Sequence, residues 1–301
     1  MTALTLDKLV ASATPEAGPA PLLPLRSLET LWLQVTGTLC NIACRHCFIT
    51  CGPKNRTHDM MTRQQVEDAL ASARTMGVRE YYFTGGEPFL HPEIFELIDM
   101  TLAQGPLSIL TNGILIDDDV ARALRERFDA SPYSFDLRVS LDGTTPEEND
   151  PIRGKGTFEK ILAGTRALAD AGLNPVLTVT EVGDASEASR DRFRALLRGL
   201  GIDKPRTKFL APFRIGREER RERAYYAYER LREGDLLEGE EETLQCSSCR
   251  MVTNRGAWPC PILINEDDAR MGDTLADAIA PIRLSHPACY TCHVEGVSCR
   301  T

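Results

Sequence analysis

An α/β fold is predicted: a partial (β/α)6 barrel, TIM-like but open, followed by a small cysteine-rich C-terminal domain. Three observations point to it. Six strand-like segments alternate with helical ones, the alternation ends near residue 213, and the ten cysteines fall into two separated groups. Residues 30–35 open the series, with Leu31, Leu33 and Val35 alternating as on a strand. Thr62 and Gln65 have the spacing of a capping box ahead of a helix that ends at Gly77. The next pairs are strand 80–84 with helix 92–104, and strand 107–111 with helix 117–129, whose first turn carries three aspartates where the helix dipole favours them. Strand 133–141 precedes helix 157–171, closed by Gly172. Strand 175–181 precedes helix 187–200, stopped by Gly201, and 206–211 is the sixth strand. Six units are too few for a closed eight-unit barrel.

Residues 1–27 are rich in Ala and Pro and read as a flexible arm. The barrel is assigned to 28–212 and the cluster-binding domain to 213–301, beginning with a charged helical stretch through Tyr225, Tyr226 and Tyr228 to Glu242.

Composition narrows the classes. A hydrophobic share of 42% and a charged share of 26% are ordinary for a globular chain of 301 residues. A net charge of -9 leaves no basic excess for phosphates, so no nucleic-acid partner is expected. No stretch approaches the ~18 apolar residues that span a bilayer, and Asp7 and Lys8 interrupt the N-terminal leucines. A cytoplasmic location with no membrane partner is expected. Cysteines lie at 40–51 and 246–299, with none between, in a chain without a signal-like segment. That distribution favours metal sites over a secreted disulfide framework.

The first group reads Cys40-Asn-Ile-Ala-Cys44-Arg-His46-Cys47, in the long loop after the first strand. Cysteine thiolates hold iron–sulfur clusters, and three of them leave one iron of a [4Fe–4S] cube open for reaction. Cys51, as a fourth ligand, would instead close a cluster or a zinc site. Four further segments fall at the C-terminal ends of successive predicted strands, the face on which β/α barrels build their sites. These are Thr84-Gly85-Gly86-Glu87-Pro88, Thr111-Asn112-Gly113, Ser140-Leu-Asp142-Gly143 and Asp150-Pro-Ile-Arg153-Gly154.

Together these motifs resemble the signature of the radical S-adenosylmethionine (SAM) superfamily, with His46 as the aromatic-type residue before the third cysteine. The resemblance implies that Cys40, Cys44 and Cys47 bind a [4Fe–4S] cluster whose open iron chelates SAM. One electron then cleaves SAM to methionine and a 5′-deoxyadenosyl radical, which abstracts hydrogen from substrate. It further implies that Gly85, Gly86, Glu87 and Pro88 approach the methionyl group, with Glu87 receiving its ammonium. Ser140, with Asp142, would bind the ribose. Arg153 would pair with the carboxylate, its fork suiting planar bidentate recognition, and His46 and Asn112 would complete the contacts. Thr178 and Thr180 would edge the adenine.

The late cysteines resemble the twitch and SPASM extensions of that superfamily. The resemblance implies one auxiliary [4Fe–4S] cluster on Cys246, Cys260, Cys289 and Cys292, although three residues rather than the usual four separate Gly256 from Cys260. A zinc site on Cys246, Cys249, Cys289 and Cys292 is the competing arrangement; it leaves Cys260 and Cys299 idle. The expected activity is an oxidation or crosslinking of a small metabolite or a ribosomal peptide, fed by an external one-electron donor such as flavodoxin or ferredoxin. The other class is a non-catalytic iron–sulfur carrier or a zinc-binding interaction protein, which would need no SAM pocket.

Overall fold

The computed structural model describes residues 18–183 and 186–297. The expectations for residues 1–17 and for Cys299 lie outside the described residues. After a short β1 (Leu22–Leu23), six strands run in chain order across one sheet: β2 (Thr30–Gln34), β3 (Glu80–Thr84), β4 (Leu107–Thr111), β5 (Phe135–Ser140), β6 (Val176–Thr180) and β7 (Arg206–Leu210). Each is parallel to the next, in registers such as Leu31 opposite Tyr81 and Leu107 opposite Phe135. This is the expected open barrel. Parallel strands bring all their C-terminal ends to one face, so the loops carrying the motifs meet there.

The crossovers are α1 (Arg63–Met76), α2 (Ile94–Leu102), α3 (Asp118–Ala130), α4 (Pro146–Arg153), α5 (Thr157–Asp170) and α6 (Glu187–Gly199). The capping box forms as read: the Thr62 hydroxyl accepts from the Gln65 amide and the Gln65 side chain accepts from the Thr62 amide. Gly77, at φ 84°, ends that helix in the left-handed region, where a Cβ is unfavourable. The helix α1 buries Val66, Ala69, Leu70 and Ala73 against the sheet. β2 is buried along its whole length, as a strand covered on both faces must be. Helix α4 was not foreseen. Pro146 opens the helix, where a missing N–H costs nothing, and Pro151 lies within it.

The long charged helix expected after residue 213 is replaced by a single turn and a half, α7 (Arg217–Arg221), followed by turns. The reason is local. Glu229 is drawn to Arg214 and Arg223 and caps the Tyr226 amide, while Gly234 and Gly239 adopt positive φ. The cysteine-rich region is also joined to the sheet. β8 (Cys249–Thr253) lies parallel to β2 on its free side, Thr30 opposite Cys249 and Leu33 opposite Val252, and β9 (Gly256–Trp258) turns back against β8. β10 (Ile282–Arg283) pairs with β1, burying Leu23, and α8 (Pro287–Val294) closes the described chain. Among the described residues no helix is long and apolar enough to cross a membrane.

Candidate active site at the strand ends

The loop from 35 to 61 carries the first cysteines and is pinned at its base. Cys40 donates its amide to the Gly52 carbonyl (3.3 Å), Gly52 donates to Thr38 (3.1 Å), and Thr38 donates to His58 (3.0 Å). The Gly-Gly pair after β3 packs directly on this loop. A Cβ on Gly85 would stand 2.2 Å from the Thr36 hydroxyl, and one on Gly86 would stand 2.0 Å from the Leu39 carbonyl oxygen. The two glycines therefore let the loops of β2 and β3 meet.

Glu87 is completely buried beneath that contact. Its carboxylate accepts from the Thr111 hydroxyl (2.7 Å), the Asn112 amide (2.7 Å) and the Phe89 amide (3.1 Å). Burial pushes its carboxyl up to about 7, against the pull of these three hydrogen bonds. Asn112 donates to Asn41 (2.7 Å) and reaches the Cys40 sulfur at 3.7 Å, so the turn after β4 braces the first cysteine.

A second group forms at the end of β5. Asp142 is fully buried and is met by His46 Nε2 at 2.5 Å, Arg153 Nε at 2.7 Å and the Thr180 amide at 3.0 Å. Burial alone would raise its carboxyl, but the Arg153 and His46 charges hold it well below the usual carboxylate range. Arg153 also reaches the Cys44 sulfur at 3.9 Å. The sequence reading treated His46, Asp142 and Arg153 as separate contacts to a ligand; the structure joins them into one linked group beside Cys44. No spacing rule signals this, because the three residues come from different loops.

A cavity of about 220 Å³ opens over this floor. Cys40, Cys44, His46, Cys47, Cys51, Gly85, Gly86, Asn112, Ser140 and Arg153 line it, as do Thr178 and Thr180, whereas Glu87, Pro88 and Asp142 do not. The Thr178 hydroxyl is buried here without a hydrogen-bond partner, which suits a polar ligand atom. Burial pushes the Cys40 thiol up to about 12 and Cys44 up to about 11. The Cys47 thiol is held down to about 6, chiefly by a hydrogen bond from Cys51 and further by the Arg217 cation. Three thiols and an orphaned hydroxyl lining one cavity form a donor set that fits a cluster and its bound ligand.

The late cysteines form a separate site. Cys246, Cys260, Cys289 and Cys292 line a cavity of about 250 Å³, and Cys249 does not. Cys249 is fully buried in β8, its thiol 3.6 Å from the Pro259 carbonyl oxygen. Burial pushes the Cys289 thiol up to about 12, with Cys260 adding to it, and raises Cys246 for the same two reasons. The buried Arg250 holds this region together through the carbonyls of Cys246 (2.8 Å), Cys249 (2.6 Å), Ala278 (2.7 Å) and Ala280 (2.8 Å). His286 caps α8 by accepting the Ala288 amide at 3.1 Å, and its ring also lines the cavity.

An open parallel barrel with three thiols at its strand ends defines a metal-dependent barrel enzyme. Residues 35–185 match the family model of the radical SAM superfamily, half of the chain, and the chain belongs to that family. Its members are enzymes whose cofactors are a [4Fe–4S] cluster and SAM. Mycofactocin maturase MftC of Mycobacterium ulcerans (strain Agy99) is 35% identical over 167 residues, covering 53% of this chain and 43% of the maturase. A GTP 3',8-cyclase of Peptoclostridium acidaminophilum is 29% identical over 196 residues, 64% of this chain and 58% of the cyclase. The chain thus spans about half the length of these relatives. Streptococcus suis SuiB bound to S-adenosylmethionine superposes with a TM-score of 0.59 at 16% identity, over 82% of this chain and 63% of SuiB, a likeness of fold.

Proposed function

We propose that this chain cleaves SAM reductively at a cluster held by Cys40, Cys44 and Cys47 and thereby oxidises or crosslinks a substrate, most simply a peptide. The observation that carries the reading is the single cavity bounded by those three thiols, by the Gly85–Gly86 turn and by Ser140, Arg153 and the unpartnered Thr178 hydroxyl. Bound there, the cofactors supply one-electron scission of the sulfonium bond and a 5′-deoxyadenosyl radical able to abstract hydrogen. The chain's own residues position and exclude water. Gly85 and Gly86 bring the β3 loop onto the cysteine loop, Asn112 braces Cys40, and the Asp142 group fixes Arg153 and His46 at the mouth. Glu87 acts from beneath, through Thr111 and Asn112.

A peptide is favoured by the maturase among the relatives and by the apolar side chains that share the cavity with the cysteines, Phe48, Leu210, Phe213, Ile262 and Ile264. The lining arginines are already engaged: Arg153 with Asp142, Arg217 with backbone carbonyls, and Arg138 with partners of its own. That weighs against a substrate bearing phosphates, although the cyclase keeps a small metabolite as the second reading. For the second site we propose an auxiliary [4Fe–4S] cluster on Cys246, Cys260, Cys289 and Cys292. The zinc arrangement requires Cys249, which is buried in β8 and does not line the cavity that the other four cysteines share. The corresponding division is a SAM-binding unit at 28–212 and an auxiliary unit at 213–301, working in the cytoplasm with an external one-electron donor.

The test is iron, sulfide and zinc per chain after anaerobic reconstitution, with 5′-deoxyadenosine release measured in parallel. Cys40/Cys44/Cys47→Ala should take iron from about eight to about four per chain and abolish 5′-deoxyadenosine. A triple variant that keeps all its iron would overturn the proposal.

A further inference from the structure

We infer that Arg217 is a positioning residue for the SAM-binding cluster, fastening from outside the cysteine motif the loop that bears Cys44 and Cys47. The inference rests on the function proposed above. Arg217 opens α7, beyond the last barrel strand and about 170 residues from the cysteines in sequence. Its Nε donates to the Cys44 carbonyl at 2.7 Å, Nη1 to Thr50 at 2.9 Å and Nη2 to Cys51 at 2.5 Å. Its own amide donates to the Cys47 carbonyl at 3.1 Å. One residue thus holds four carbonyls across the whole cysteine turn. Three of the four bonds come from the side chain, and a guanidinium spreads its donors over three nitrogens in a rigid fork, whereas a lysine's donors all radiate from one nitrogen.

Two independent features show that the fit is close. Gly216, at φ +63°, lies so near the loop that a Cβ there would stand 2.2 Å from the Phe48 carbonyl oxygen and 3.0 Å from that of Cys47. Thr50, at φ 57°, is the sole non-glycine with positive φ among the described residues. A β-branched residue in that region costs on the order of 1–3 kcal/mol and persists only where its surroundings enforce it. The enforcing groups are Arg217 and Asn55, which both donate to the Thr50 carbonyl, at 2.9 and 3.0 Å.

The arrangement gives Arg217 two separable effects. The fork fixes where Cys44 and Cys47 point, which governs how firmly iron is held. The charge lies beside the thiolates and favours the more negative, reduced cluster, which raises its midpoint potential. Arg217→Met removes fork and charge, Arg217→Lys keeps the charge alone, and Gly216→Ala disturbs the approach while leaving the arginine in place.

The experiment uses full-length protein reconstituted anaerobically. Iron loss to a ferrous chelator is followed, the second site's share being given by the Cys40/Cys44/Cys47→Ala protein. The potential of the SAM-responsive electron paramagnetic resonance signal is titrated in parallel. Arg217→Met should release first-site iron ~10-fold faster or more and lower the potential, and Arg217→Lys should restore the potential but not the iron retention. Gly216→Ala should speed iron loss with the potential nearly kept; should Arg217→Met fail to fold, this variant and Arg217→Lys decide the matter. Wild-type iron retention and potential in the folded variants would overturn the inference, as would a change confined to the melting temperature. If the triple cysteine variant loses no iron, the underlying function falls; if it does lose iron and the Arg217 variants match wild type, only the role of Arg217 falls.

Discussion

The two cysteine sites are built on opposite plans. The first draws its three thiols from one short loop and is braced by the ends of four strands, with Arg153 and Arg217 set around it. The second gathers four thiols from both flanks of the β8–β9 hairpin and from α8, around a cavity whose other walls include Leu244, Ile262, Leu263 and Leu284. The first site offers three thiols beside Ser140, Arg153 and Thr178, as suits a centre that must admit a ligand. The second offers four thiols, as suits one with all its thiol positions taken.

The most damaging challenge to this contrast is made at Cys260 and Cys249. Cys260→Ala should remove about four irons, one cluster's worth, while Cys249→Ala should retain all metal and cost only about 1 kcal/mol for a small buried void. The reverse pattern in the metal assay would give the second site to zinc. Next in size is Asp142→Asn, which leaves Arg153 and His46 facing a neutral partner in a buried site; about 3–5 kcal/mol of stability should be lost at neutral pH. The sign follows from the depressed carboxyl: its contribution is complete above the unfolded value near pH ~4 and fades as pH falls below that. Denaturant melts of wild type and variant should therefore converge in acid. The smallest effect is expected at Thr62→Ala, which removes the side-chain cap of α1 at a residue that lines neither cavity. It should cost about 1 kcal/mol in melts and leave both iron counts unchanged, separating fold stability from site assembly.

The same contrast explains what could be read in advance. The six strands and all the crossover helices but α4 were legible because each buries a periodic apolar set within a dozen residues, as Val66, Ala69, Leu70 and Ala73 do on α1. The first cysteines were legible as a group because their spacing is local. The partnership of Asp142 with His46 and Arg153 was not, since it depends on how three loops converge. Arg217 was hidden in the charged run Arg217-Glu-Glu-Arg-Arg221, where every residue has the composition of a solvated helix face. The β8–β9 hairpin was missed because Arg250 interrupts an otherwise apolar strand; it is buried all the same, because four carbonyls satisfy it.

The parallel pairing of β8 with β2 has a consequence for how the chain is made. β2 is synthesised about two hundred residues before the strand that covers its second edge. Until then Thr30–Gln34, an apolar run carrying Trp32, presents a row of unpaired backbone groups that any other strand can join. Synthesis of the C-terminal region thus completes a second cysteine site and also covers this edge of the nascent barrel, and a version ending near residue 213, which leaves the edge open, should aggregate.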